Sequence, residues 1–179
     1  SRADLTRLSR GKAHQTLAPV YETIRTVRSG LAAEGFDETA LIGFAGAPWT
    51  VACYMVEGGG SKDFFHTKRW AYQDPESFSQ LIDLVTDATI DYLLHQIASG
   101  AEIIKIFDSW AGILDEKLFE RWVIKPAQKI TAALKAAHPE IPMIGFPRAA
   151  GYLYQRYAVE TGITAMAIDP QVPLAMAAK

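Results

Sequence analysis

The chain is poor in the residues that specialised chemistries need. Cys53 is the only cysteine among 179 residues, so no internal disulfide and no multi-cysteine metal site can form. A lone thiol fits a reducing compartment, and a cytoplasmic setting is expected. No apolar run reaches the roughly 18 residues of a membrane span, and Ser1 to Arg10 lacks the apolar core of a signal peptide. No membrane partner is expected. Positive charge is scarce too: 18 Lys and Arg against 20 Asp and Glu give a formal net charge of −2. The longest basic tracts are pairs such as Lys68-Arg69, so no nucleic-acid partner is expected. An anionic small molecule stays compatible, because a few cations in a cleft do not require a basic protein. His14, His66, His95 and His138 make no H-x-x-x-H pair, and none joins Cys53 in a ligand pattern, so no metal is expected. His95, on a long helix, reads as structural. Gly58-Gly59-Gly60-Ser61-Lys62 lacks the P-loop spacing, and Ser109 has no nucleophile-elbow signature. With no initiator Met, the chain is expected to be a piece of a longer protein.

What is present is a rhythm of strands and helices. Val20, Ile24, Val27 and Leu31 recur at helical spacing over 19–34, before Gly35. An apolar run predicts a strand over 41–45, ending in Gly46-Ala47-Pro48-Trp49 and a short amphipathic helix carrying Tyr54, stopped by three glycines. A short helix is predicted over 63–72. Asp74-Pro75 supplies an N-cap and a first-turn proline for a long helix over 76–99. A second strand, 102–107, closes with Asp108-Ser109-Trp110. Leu118, Trp122 and Val123 mark a helix that Pro126 should break or kink, with a second segment over 126–137. A third strand over 143–146 ends in Pro147-Arg148. A helix over 150–160, a fourth strand over 163–168 and the start of a helix over 173–179 complete the chain. Regular alternation implies parallel strands with helical crossovers. Four such units fit either a small doubly wound sheet or half of a (β/α)8 barrel, which needs about 250 residues when complete.

In both architectures ligands sit at the carboxyl ends of the strands. Side chains alternate along a strand, so Lys105, Phe107 and Ser109 share one face. If that face is the interior, Lys105 lies beneath the other two, either paired with an acid or with its head reaching solvent. Tyr54 is either a packed amphipathic tyrosine or a site residue, and Ser109 either a helix N-cap or a ligand contact. Arg148 follows a strand, and its guanidinium fork matches a carboxylate, so it is a candidate carboxylate clamp as well as a candidate surface ion-pair partner. Asp169 is a candidate cap of the following turn.

Ile42-Gly43-Phe44-Ala45-Gly46-Ala47-Pro48-Trp49-Thr50, with Tyr54-Met55-Val56-Glu57-Gly58-Gly59-Gly60-Ser61, closely resembles a segment of the uroporphyrinogen decarboxylase family. Lys68-Arg69-Trp70, Ile106-Phe107-Asp108-Ser109-Trp110-Ala111-Gly112 and Gly145-Phe146-Pro147-Arg148 match in order, and the likeness covers about 17–177. It loosens at Pro170, where the family commonly has another residue. The resemblance implies a TIM barrel that removes the four acetate carboxyls of uroporphyrinogen III, giving coproporphyrinogen III, without metal or prosthetic group. It assigns Tyr54 and Ser109 to the porphyrinogen site and makes Phe44 and Phe107 its apolar walls. Family members are about twice this length. Their N-terminal arginine-rich motif, an aspartate on an earlier strand and a histidine near the C-terminus have no counterpart here. The expectation is therefore a single partial barrel domain over 1–179 with about four βα units, inactive alone, from an enzyme that is usually a homodimer. Two alternatives accompany it: a related cobamide-dependent methyltransferase of the same barrel, or a non-enzymatic half barrel that self-associates.

Overall fold

The computed structural model describes residues 2–8, 13–173 and 175. The apolar runs become β1 (Ile42–Gly46), β2 (Ile103–Asp108), β3 (Met143–Pro147) and β4 (Ala165–Met166). They form one sheet in the order β1-β2-β3-β4, every neighbouring pair parallel. Parallel neighbours need long crossovers. Helices α3 (Pro48–Glu57), α4 (Phe65–Gln73) and α5 (Pro75–Ala98) supply the first. A short 3₁₀ turn with α6 (Glu116–Phe119) and α7 (Lys125–Ala137) supplies the second, and α8 (Leu153–Glu160) the third. Among the described residues α1 (Arg2–Leu5) and α2 (Ala13–Ala33) precede the sheet. Among the described residues no helix is long and apolar enough to cross a membrane.

Local chemistry explains most boundaries. The Asp74 carboxylate accepts the Ser77 N–H at 3.1 Å, with Pro75 at the first helical position of α5, where a missing N–H costs nothing. Helix α3 ends at Gly58, whose φ of 74° is the left-handed conformation that glycine takes without penalty.

Other boundaries differ from expectation. Helix α2 starts at Ala13 and carries Pro19 inside it. Its first turns bring His14 onto His95, with ring centroids 3.9 Å apart, a tertiary contact that apolar periodicity does not report. Pro126 does not break the chain. Glu116 to Ala137 runs on through a π-helical stretch, Glu120–Ile124, placed just before the proline. The wider turn accommodates a ring that would clash with the carbonyl four residues back. Helix α8 begins only at Leu153, because Ala149 (φ 58°) and Gly151 (φ 57°) are both left-handed. Strand β4 keeps two residues of the expected six. The helix expected over 173–179 falls mostly outside the described residues.

The two faces of the sheet are unlike. Gly43, Ala45, Ile104, Ile106, Asp108, Met143, Gly145 and Pro147 are buried, and the core lies between that face and the helices. Gly43 leaves room for α5: a Cβ there would lie 2.7 Å from Gln96 Oε1. The Gln96 amide bonds both the N–H and the C=O of Phe44, at 2.9 Å each. The opposite face carries Ile42, Phe44, Lys105, Phe107, Ile144 and Phe146, of which Phe44 is 58% exposed. No described element covers that face, as expected for part of a barrel wall.

Candidate functional site

The uncovered face is where the strand-end residues meet. Ile42, Phe44, Lys105, Phe107, Ser109 and Phe146 line one groove. The rings of Phe44 and Phe107 are 6.0 Å apart and tilted, a spacing typical of favourable aromatic pairs. The Lys105 Nζ lies 5.6 Å from the Phe146 ring centroid. Strand register explains the grouping: Phe44 pairs with Lys105, and Phe107 with Phe146. Ser109 continues the same face past the end of β2. Its hydroxyl has no hydrogen-bond partner among the described residues, and the following 3₁₀ turn has no side-chain cap. It is therefore no N-cap.

Tyr54 stands apart from that groove. It lies in the second turn of α3, 44% exposed, with its ring edge-on to Trp110 at 6.2 Å. Trp110 also stacks on Phe64 at 4.6 Å, and Phe64 is held in a left-handed conformation (φ 55°). Arg148 is exposed at the end of β3, and its guanidinium has no ion-pair partner among the described residues. Its backbone is fixed, the N–H donating to the Asp108 carbonyl and the C=O accepting from Gly112, both at 3.0 Å.

Beneath the strand ends lies a buried polar bracket. The Thr50 hydroxyl donates to Asp108 Oδ1 at 2.5 Å, and Thr50 Oγ1 accepts the Trp110 N–H at 3.2 Å. The Trp49 indole N–H donates to the Trp110 carbonyl at 3.0 Å. These bonds tie the loop after β2 to the first turn of α3. Burial pushes the Asp108 carboxyl up to about 7, against the Thr50 hydrogen bond that favours the charged form. Asp108 Oδ2 has no hydrogen-bond partner among the described residues. Asp108 thus faces the helices, away from the groove.

A second bracket joins β3 and β4. Asp169 Oδ2 accepts the Ala149 N–H at 2.6 Å and the Tyr154 hydroxyl at 2.5 Å. Asp169 secures the preceding β3 loop through these bonds. Burial and the Asp169 hydrogen bond push Tyr154 up to about 12. Cys53 is fully buried, and burial raises its thiol far above the usual range, so it offers no nucleophile. Among the described residues no group of three His, Cys, Asp or Glu could hold a metal ion.

Sequence parity had grouped Lys105, Phe107 and Ser109 and left the lysine's surroundings open. Phe146 was missed, although the same parity argument on β3 sets it beside Ile144 on one face. The Thr50–Asp108 bracket had no sequence signal, since its partners are 58 residues apart.

Comparison with known proteins agrees with this arrangement. The family described as Uroporphyrinogen decarboxylase (URO-D) matches residues 1–179. The uroporphyrinogen decarboxylase of Rhodospirillum rubrum is 53% identical over 179 residues, covering 100% of this chain and 50% of that protein. That of Granulibacter bethesdensis is 53% identical over 177 residues, covering 99% and 51%. The chain spans about half the length of the curated relatives it matches. Among solved structures, a methyltransferase from Methanosarcina mazei superposes with a TM-score of 0.60 at 16% identity, over 88% of this chain and 51% of that one. That likeness supports the fold, four parallel βα units of a TIM barrel, and extends no further. The family assignment rests on the match along the whole length: this chain belongs to the uroporphyrinogen decarboxylase family.

Proposed function

We propose that these residues form about half of the barrel of a cytoplasmic uroporphyrinogen decarboxylase, a carboxy-lyase that converts uroporphyrinogen III to coproporphyrinogen III in porphyrin synthesis. The observation that carries this reading is the groove itself. Two phenylalanines and a serine from the matched strand-end motifs stand together on an uncovered face, with a polar bracket fixing the loop behind them.

In this reading the macrocycle lies against Phe44 and Phe107. Ser109 contacts a substrate side chain, and Tyr54 hydrogen-bonds in the polar centre of the closed site. Arg148, exposed and unpaired among the described residues, clamps a carboxylate through its guanidinium fork. The reaction is chemically self-sufficient. Protonation of a pyrrole carbon creates an electron sink, the C–C bond to the acetate carboxylate breaks into that sink and carbon dioxide leaves. The exocyclic carbon then takes up a proton to become a methyl group, and the ring carbon releases the proton it had gained, so one proton is consumed for each carbon dioxide lost. The substrate supplies the electron sink, so no metal or prosthetic group is called for, and the protein's part is positioning and preorganised electrostatics. The remaining half supplies the other wall, and the complete enzyme works as a homodimer.

One assay tests this. The 179-residue chain alone, given uroporphyrinogen III, forms no coproporphyrinogen, whereas the complete polypeptide carrying it does. Turnover by the 179-residue chain overturns the predicted inactivity. A complete polypeptide that leaves uroporphyrinogen untouched overturns the activity. Stoichiometric zinc in the complete polypeptide favours the methyltransferase alternative, for which the Methanosarcina mazei likeness gives fold support only.

A further inference from the structure

Among the described residues Lys105 is the one cation lining the groove, and its surroundings are apolar. It pairs across the sheet with Phe44 on one side and Ile144 on the other. Phe107 stands two residues further along the same face, and Phe146 sits 5.6 Å from the ammonium. No carboxylate among the described residues lies within ion-pair distance of it. An aromatic face attracts a cation without neutralising it. Once the groove is covered, an unpaired ammonium is strongly disfavoured unless a counter-charge arrives with the cover.

We infer that Lys105 binds a carboxylate arm of the substrate, an inference that rests on the porphyrinogen reading above. Side chains on one face are spaced about 7 Å apart along a strand. Lys105, Phe107 and Ser109 are therefore stepped: ammonium at the floor, ring at mid-height, hydroxyl at the rim. A macrocycle resting on the Phe44 and Phe107 rings sends an edge carboxylate down to the ammonium while another side chain meets Ser109. A ligand with more carboxylates gains more from this floor cation than one with fewer. Lys105 therefore contributes to the preference for the uncleaved, most highly charged substrate.

The test uses the complete polypeptide. Lys105→Met raises KM for uroporphyrinogen about tenfold and leaves kcat within about twofold, while Lys105→Arg keeps KM close to the parent value. Reductive methylation with formaldehyde and cyanoborohydride, read by peptide mass spectrometry, gives an independent measure on unmutated protein. Uroporphyrin, the air-stable oxidised form, protects Lys105 from methylation, and coproporphyrin protects it less. Unchanged KM in Lys105→Met, or equal methylation of Lys105 with and without uroporphyrin, overturns the inference while parent turnover leaves the decarboxylase reading standing. Should Lys105→Met fail to fold, the protection measurement decides alone. A parent protein that neither turns over uroporphyrinogen nor shows protection overturns both.

Discussion

Asp108 shows how one buried group sets the pH response of the scaffold behind the groove. Its carboxyl is fully enclosed, with one oxygen bonded to Thr50 and the other unpartnered. Burial raises its pKa to about 7, against roughly 3.9 in an unfolded chain. Between those values the folded protein holds a proton that the unfolded chain has lost. This contribution to stability therefore falls as pH rises from about 4 to about 7 and is flat above. The loss is on the order of 4 kcal/mol at most. Asp108→Asn keeps the Thr50 hydroxyl an oxygen acceptor and cannot ionise. Denaturant melts of parent and variant should then differ in slope over that range, with the variant gaining relative stability as pH rises. Parallel pH profiles would show that the carboxyl ionises without cost. The contrast with Cys53 is informative. Both groups are buried beside the bracket, but the thiol is neutral at every pH in question and adds no pH dependence.

At the scale of elements, the strand-end loops are held by each other as much as by their own strands. Gly112 donates its N–H to the Arg148 carbonyl, and a Cβ added there would lie 2.3 Å from the Ala149 carbonyl oxygen. That obstacle is backbone, and the Ala149 N–H is anchored to Asp169, so it cannot step aside cheaply. Gly112→Ala should cost about 1–3 kcal/mol, as overpacking does. Gly30, inside α2, is the control: a Cβ there meets nothing within 4 Å. Gly30→Ala should stabilise by about 0.5–1 kcal/mol through helix propensity and unfolded-state entropy. Thermal melts of the two variants should move in opposite directions, and a neutral Gly112→Ala would mean that the two loops separate readily. The N-cap of α5 is a third case. Asp74→Ala removes the acceptor for the Ser77 N–H and should cost about 1 kcal/mol. That cap and proline were legible in the sequence, as were the first three strands and the shared face of Lys105, Phe107 and Ser109, because each depends on neighbours within a few residues. The π-helical detour before Pro126, the early start of α2 and the late start of α8 were not. The start of α2 is set by a tertiary contact and that of α8 by left-handed residues such as Ala149, whose type gives no warning, while the π-helical turn absorbs a proline that apolar periodicity reads as a break or kink. Dependence on tertiary contacts also hid the Thr50–Asp108 bracket and left the partner of Lys105 undecided.

At the scale of the whole molecule, the sheet has one finished face and one unfinished one. Trp49, Phe78 and Trp122 interlock at ring separations of 5.8 and 5.1 Å beneath the helices, while Ile42 and Phe44 stay 45% and 58% exposed on the other side. Among the described residues the outer edges of β1 and β4 carry no partner strand in the sheet. Exposed apolar surface next to open strand edges is the condition under which chains associate. Fully covering a large apolar side chain is worth about 1.5–3 kcal/mol, so hiding the exposed halves of Ile42 and Phe44 together with the rest of that face on two copies works against the freedom lost on association. The isolated 179-residue chain should therefore associate as its concentration rises, and sedimentation velocity should show the monomer fraction falling. Phe44→Asp should restore monomer, because the substitution removes the most exposed ring of that face and places a charge on the contact surface. Its secondary structure should be unaffected, since the Phe44 side chain supports none of the buried core, and its backbone bonds to Gln96 remain available. In the complete polypeptide the same substitution has a different consequence. The aspartate falls opposite Lys105 in register, and under the proposed decarboxylase reading, in which the remaining half covers this face, it competes with substrate carboxylates for that ammonium. Uroporphyrinogen turnover should fall sharply in the complete Phe44→Asp protein, and a second change, Lys105→Met, should not restore it, because the apolar wall is still lost. Monomeric parent chain at all concentrations would instead show that the uncovered face is stable in water, and association through it would then have no driving force.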